Sequence, residues 1–249
     1  MSGRGAGMPA TKIMVALDKP DAASALALVE ALAGIPCWFK VGMELFYAAG
    51  PDLVRRLKAG GHRVFLDLKM HDIPNTVKGG ARSLARLGAD MFNVHAAGGT
   101  AMMAAALEGV REAVAAGEAP FADGEGPVVI AVTQLTSTSR AVMNGEIGIP
   151  GPVEDAVLRY AELAGKAGLA GVVASPHECA AIKRKMGDRF IVVTPGIRPA
   201  GAEAGDQSRF ATPSQALGTG ADYLVIGRPI TASPDPRAAM MSILEEIEG

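Results

Sequence analysis

Residues 63–96 read RVFLDLKMHDIPNTVKGGARSLARLGADMFNVHA. The stretch opens on an aliphatic run, RVFLDLK, passes into the amphipathic NTVKGGARSLARLG, and returns to a second apolar run, MFNVHA. Strands of near-continuous aliphatics belong to parallel sheets covered on both faces, so the stretch reads as strand, helix, parallel strand. Gly88 falls where that helix needs a C-terminal cap. The pattern does not account for charge at the end of the first strand. Asp67, Lys69 and Asp72 stand together there, and buried charge is costly unless it is paired or used.

The same alternation runs outward in both directions. IMVALD (13–18) precedes DAASALALVEALAG, and CWFKVG (37–42) precedes GPDLVRRLKAGG. MFNVHA (91–96) precedes TAMMAAALEGVREAVAAG. VVIAVTQL (128–135), GVVAS (171–175), FIVVTPGI (190–197) and YLVIGRPI (223–230) are each followed by a helical pattern. Eight such units in ~240 residues predict an α/β fold of the TIM (β/α)8 barrel type. No G-x-G-x-x-G follows the first strand, which argues against an open dinucleotide-binding sheet. No linker or second core is visible. The expectation is a flexible tail over 1–12 and one barrel domain over 13–249.

Composition narrows the classes further. The 249 residues are 49% hydrophobic, enough for one large core. A net charge of −2 gives no nucleic-acid or anionic-membrane surface. No apolar run approaches the ~18 residues of a membrane span. The opening MSGRGAGMPATK lacks the apolar core of a secretory signal, so a cytoplasmic protein is expected. Cys37 and Cys179 have neither disulfide-framework nor zinc spacing. His71 and His95 beside Asp72 lack a ligand pattern as well, and no metal is expected.

A barrel of this type carries its site at the C-terminal ends of the strands, where polar residues of this chain collect. Asp18 ends the first strand, Lys40 lies near the end of the second, and Asp67 and Lys69 end the third. Asn93 and His95 end the fourth, Thr136 follows the fifth, Arg198 the seventh and Arg228 the eighth. Any one of these alone would read as a loop residue capping the next helix. Residues two apart on a strand share a face, so Phe65, Asp67 and Lys69 point inward while Val64, Leu66 and Leu68 meet the helices. Asp67 and Lys69 then form either a charge pair tying the barrel mouth together or a lysine placed to hand a proton to substrate. Asp72 precedes Ile73-Pro74 on an extended turn, as a capping carboxylate or as a group projecting past the mouth.

The last two units place Gly and then Arg after an aliphatic strand, in TPGIRP and VIGRPI. Loops seven and eight of such barrels often hold phosphate on backbone N–H groups, and Arg228 adds a bidentate partner. RPAGAEAGDQSRF (198–210), with several Gly breaks and no periodicity, suits either a lid or a plain surface loop. A closing lid would bring Arg198 and Gln207 to the ligand.

Taken together, ALD, FKVG, DLKMHDIP, NVHAAGG, VTQLTS, TPGIR, the DQ of that loop and the final GR resemble the orotidine 5′-phosphate decarboxylase family. The resemblance runs from about residue 13 to 245. It implies a homodimer that converts orotidine 5′-phosphate to UMP and CO₂ without a cofactor. By the same resemblance Lys69 donates the proton to pyrimidine C6, and Asp67 lies beside the departing carboxylate. Asp72 and Thr76 would enter from the partner subunit. Asp18 and Lys40 would hold the ribose hydroxyls, Thr136 the pyrimidine, and Gln207 would bridge base and phosphate. Arg198, Gly227 and Arg228 would receive the phosphate.

Three rivals stand beside this reading. A metal-dependent sugar-phosphate decarboxylase or epimerase shares the D-x-K-x-x-D core but not LTS or DQ. A Schiff-base aldolase is weaker, because strand six ends in Ala174-Ser175 with no lysine. A non-catalytic nucleotide-binding barrel would have no use for an intact Lys69 between two carboxylates.

Overall fold

Parallel strands with short connections can bury both faces only by closing on themselves or stacking between helices, and this chain closes. The structure, a computed structural model, describes residues 9–121, 125–199 and 210–248. Eight parallel strands form a closed barrel in sequence order. The first half runs β1 (Ile13–Ala16), α1 (Ala22–Ala31), β2 (Trp38–Gly42), α2 (Met43–Ala59), β3 (Arg63–Met70), α3 (Pro74–Arg86), β4 (Met91–His95) and α4 (Gly99–Ala115). The second half runs β5 (Val128–Val132), α5 (Arg140–Gly145), α6 (Val153–Lys166), β6 (Gly171–Val173) and α7 (Cys179–Met186). It closes with β7 (Ile191–Thr194), α8 (Pro213–Gly218), β8 (Tyr223–Ile226), α9 (Arg228–Thr231) and α10 (Pro236–Glu248). β8 pairs with β1 through Leu224 and Ile13, which completes the ring.

Alternation divides the apolar residues between two cores. Met14, Trp38, Phe65, Met91, Ile130 and Val193 fill the barrel interior. Val15, Phe39, Val64, Leu66, Phe92 and Val192 point the other way and pack under the helices. Leu68 and Met70 continue the outer face, so Asp67 and Lys69 stand on the inner one as parity predicts.

The entrances to β4 and β8 repeat one device. GAD at 88–90 and GAD at 220–222 each end a helix on a positive-φ glycine (φ 83 and 105). Each aspartate then accepts a backbone N–H from the neighbouring strand, Val64 to Asp90 and Val192 to Asp222, at 2.7 Å. Each also takes a lysine ammonium, Lys58 at 2.6 Å and Lys183 at 2.7 Å. The pairs satisfy donors at the bottom of the barrel, away from the site.

Several boundaries differ from the sequence reading. Residues 9–12, assigned to the tail, form a 3₁₀ turn with Ala10 buried; residues 1–8 lie outside the described residues. α2 joins two helices across a break at Gly50 (φ 68, ψ −171): the second, opening at Pro51, is the expected GPDLVRR helix, and the first, from Met43, precedes it and was not read from the sequence. GRPI, quoted with strand eight, is mostly the helical turn α9, where Pro229 sits at a helix start that needs no N–H from it.

Candidate active site

Strand ends bring the charges together. β2 and β3 pair with Lys40 opposite Phe65 and Gly42 opposite Asp67. That register lets Lys40 Nζ reach Asp18 Oδ1 after β1 at 2.9 Å and Asp67 Oδ2 at 3.6 Å. A Cβ on Gly42 would lie 3.1 Å from the Lys40 nitrogen, so the bare backbone there leaves the ammonium its room. Lys69 Nζ donates to Asp67 Oδ1 at 2.6 Å. Asp67 thus stands between two ammonium groups. Burial acts to raise its pKa, but Lys40, Lys69 and hydrogen bonds from Lys69 and Asn93 outweigh that and hold the carboxyl below its usual range.

The Asp67–Lys69 arrangement depends on an irregular strand. Leu66 pairs with Phe92 and Met70 with Val94, so residues 67–69 of β3 face Asn93 alone. This is a bulge with two extra residues, the kind of break that re-aims side chains beside sites. Within it Lys69 has φ 50 and is the only non-glycine among the described residues with positive φ. A lysine there costs on the order of 1 kcal/mol. Asn93, fully buried in mid-strand, occupies the gap. Its side-chain oxygen accepts the Lys69 backbone N–H at 2.8 Å, and its amide donates to Asp67 Oδ1 at 2.7 Å. Asn93 reads in the sequence as one more polar residue near a strand end. An amide in the middle of MFNVH was the available signal.

Two connected hollows open above these charges. One is lined by Phe65, Asp67, Lys69, Val132, Thr136 and Ala174, mostly apolar above the charged pair, with Gln134, Thr136 and Ser137 as its polar side. The other is lined by Asp18, Lys40, Asp67, Gly227, Arg228 and Arg198. Both include Asp67, Pro195 and Val225, so they form one groove with an apolar end and a cationic end. Arg198 is buried, and its pKa is lowered first by burial and then by the nearby Arg228. Two guanidinium groups converging in a hollow suit a di-anion such as phosphate.

The remaining candidates lie apart from this groove or beyond the described residues. Asp72 is exposed, accepts the backbone N–H of Ile73 at 2.6 Å, and makes no ion pair with Lys69 among the described residues. It lines a shallow groove with Met43, Tyr47, His71, Thr76 and His95, which reaches Lys69 from the side. Gln207 and most of the 198–210 segment lie outside the described residues. Among the described residues no three His, Cys, Asp or Glu side chains group to hold a metal ion. No described helix is long and apolar enough to cross a membrane.

Comparison with known proteins follows the same outline. The model of the orotidine 5′-phosphate decarboxylase / HUMPS family matches residues 11–243. An orotidine 5′-phosphate decarboxylase of Moorella thermoacetica is 57% identical over 237 residues, 95% of this chain and 92% of that protein. One from Cutibacterium acnes is 52% identical over 239 residues, 96% of this chain and 97% of its own length. The crystal structure of orotidine 5′-phosphate decarboxylase from Lactobacillus acidophilus superposes with a TM-score of 0.83 at 41% identity, covering 95% and 99% of the two chains.

Proposed function

The chain belongs to the orotidine 5′-phosphate decarboxylase / HUMPS family, and from that premise we propose that it decarboxylates orotidine 5′-phosphate to UMP in pyrimidine nucleotide synthesis, with Lys69 as proton donor. The observation that carries the lysine's role is its ammonium, 2.6 Å from Asp67 on the floor of a mostly apolar hollow. In this reading the pyrimidine lies in the apolar end against Thr136, the ribose hydroxyls meet Asp18 and Lys40, and the phosphate takes Gly227, Arg228 and Arg198. Gln207 would bridge base and phosphate.

The chemistry asks for little else. The C6–carboxylate bond breaks, CO₂ leaves, and the electron pair stays on C6 in the ring plane, where the π-system cannot spread it. Lys69 stabilises that charge and transfers one Nζ proton to C6, regaining a proton from solvent afterwards. A fixed ammonium in a water-poor hollow needs no reorganisation as charge develops. Asp67 orients it and lies beside the departing carboxylate. Phosphate contacts far from C6 supply binding energy that can be realised in the transition state. No cofactor or metal enters this scheme.

A second copy of the chain completes the site in the same proposal. Asp72 and Thr76 line a groove that opens onto Lys69 from outside the barrel. Tyr47 and Met43 in its lining and Ile73 beside Asp72 are 73%, 43% and 67% exposed, an apolar rim that a two-fold partner would cover. Asp72 of each protomer would then face the partner's active site.

The test is loss of orotidylate absorbance on adding the purified protein, repeated with Lys69→Ala. The variant should lose about 10³-fold or more in kcat and still bind UMP. A variant within tenfold of wild type, ~1.4 kcal/mol of barrier, would remove Lys69 from the chemistry. Activity abolished by EDTA and restored by Mg²⁺ would favour the metal-dependent rival.

A further inference from the structure

We propose that Asn93 is a positioning residue of this site, one amide that sets both ends of the Lys69 proton donor. The inference rests on the decarboxylase reading and adds to it a residue that need not touch substrate. Asn93 is fully buried in β4, whose neighbours Phe92 and Val94 pack outward in the helix layer. A buried amide among aliphatics must have both of its polar ends satisfied. Here the two ends go to consecutive inward residues of β3. The oxygen takes the Lys69 N–H and the nitrogen goes to Asp67 Oδ1. Chemistry fixes this orientation, since the reverse would set oxygen against carboxylate and NH₂ against N–H.

The consequence lies in the register. Without a side chain that stands in for ladder partners, the two extra residues of β3 would leave the Lys69 N–H unpaired inside the barrel wall. Asn93 replaces that partner and so permits the bulge in which Lys69 has φ 50. Its amide and the Lys69 ammonium converge on the same Asp67 oxygen, leaving the other oxygen toward Lys40. The carboxylate plane is thereby fixed from the strand side. A residue that only patched the sheet would bond backbone; this one also holds the reactive lysine's counter-ion.

Two variants test it. Asn93→Leu keeps branching and approximate volume and removes both bonds. Asn93→Asp keeps the oxygen facing Lys69 N–H and the side chain's shape, and replaces the amide donor with a carboxyl that must share a proton with Asp67 or repel it. Each should lower kcat at least tenfold, with Asn93→Leu nearer a hundredfold, while UMP affinity stays within threefold. In both, the acid limb of kcat/KM should move to higher pH, because a bond that lowers the Asp67 pKa is gone. A folded variant with kcat within threefold of wild type, or an unmoved acid limb, overturns the proposal. So does UMP affinity falling in step with kcat, which would mean that the pocket itself collapsed. The crystal structure of either variant decides independently of activity. Lys69 should leave the left-handed region or its ammonium should part from Asp67, and an unmoved Lys69 refutes the role. A wild-type protein inert toward orotidylate would sink the decarboxylase reading instead, leaving this structural arm to judge Asn93.

Discussion

Lys69 shows what a single residue does beyond its side-chain type. Alternation along β3 is enough to put it on the same face as Asp67, and their 2.6 Å contact agrees. Its positive φ and its bond to Asn93 depend on a register shift against β4, which involves residues 24 positions away. His95 offers a second residue-scale case. Its pKa lies below the ordinary 6.5, chiefly through burial and then through His71 and Lys69, with Asp67 opposing. A histidine whose folded pKa is depressed binds fewer protons folded than unfolded. Its contribution to stability is therefore full above about pH 6.5 and declines as pH falls toward the folded value. Between pH 7.5 and 5.5 the thermal midpoint of His95→Gln should fall less than that of wild type. Equal or larger falls in the variant would show that His95 is not a protonation cost.

At the scale of elements, α3 and α4 pack extensively against each other. Lys78 bonds Glu108 at 2.8 Å and Glu112 at 2.5 Å, and Arg82 pairs with Glu112. These pairs are partly exposed and contribute little each. The approach itself is set by Gly109 of α4, where an added Cβ would fall on the Lys78 carbonyl oxygen, far inside van der Waals contact. Gly→Ala in a helix interior normally stabilises by ~1 kcal/mol. Here the clash is with backbone, which cannot swing away, and overpacking of that kind costs roughly 1–3 kcal/mol or more. Gly109→Ala should lower the thermal midpoint by several degrees, read by calorimetry, and a raised midpoint would show that the helices part freely. The amphipathic stretches of both helices were legible in the sequence. Which glycine lay at their crossing was not, because periodicity marks a face and not the point on it where another backbone comes closest.

At the scale of the whole molecule, the shared-site proposal makes an arithmetic prediction. Lys69→Ala and Asp72→Asn, each nearly inactive as a homodimer, are unfolded together in equal amounts and refolded. If Asp72 serves the partner's site, a heterodimer collects both lesions in one site and leaves the other intact. Random pairing gives about half heterodimers with one good site in two, so roughly a quarter of wild-type activity should return. If Asp72 serves its own chain, every site keeps a lesion. No recovery, in a sample where heterodimers are shown to form, would sink the shared site.

The barrel itself follows from local pattern. Aliphatic runs alternating with amphipathic ones dictate parallel strands with helical crossovers, and the polar residues at strand ends then share one rim by topology alone. Asp18, Lys40, Asp67, Lys69 and Thr136 were readable on that ground, since each follows a strand whose direction is known. Arg198 and Arg228 were readable as the cationic partners of loops seven and eight. The role of Asn93 and the contact at Gly109 were decided by tertiary structure. Each arises where two segments distant in sequence meet, and the register or distance of that meeting is set by packing across the whole core, not by the residues on either segment.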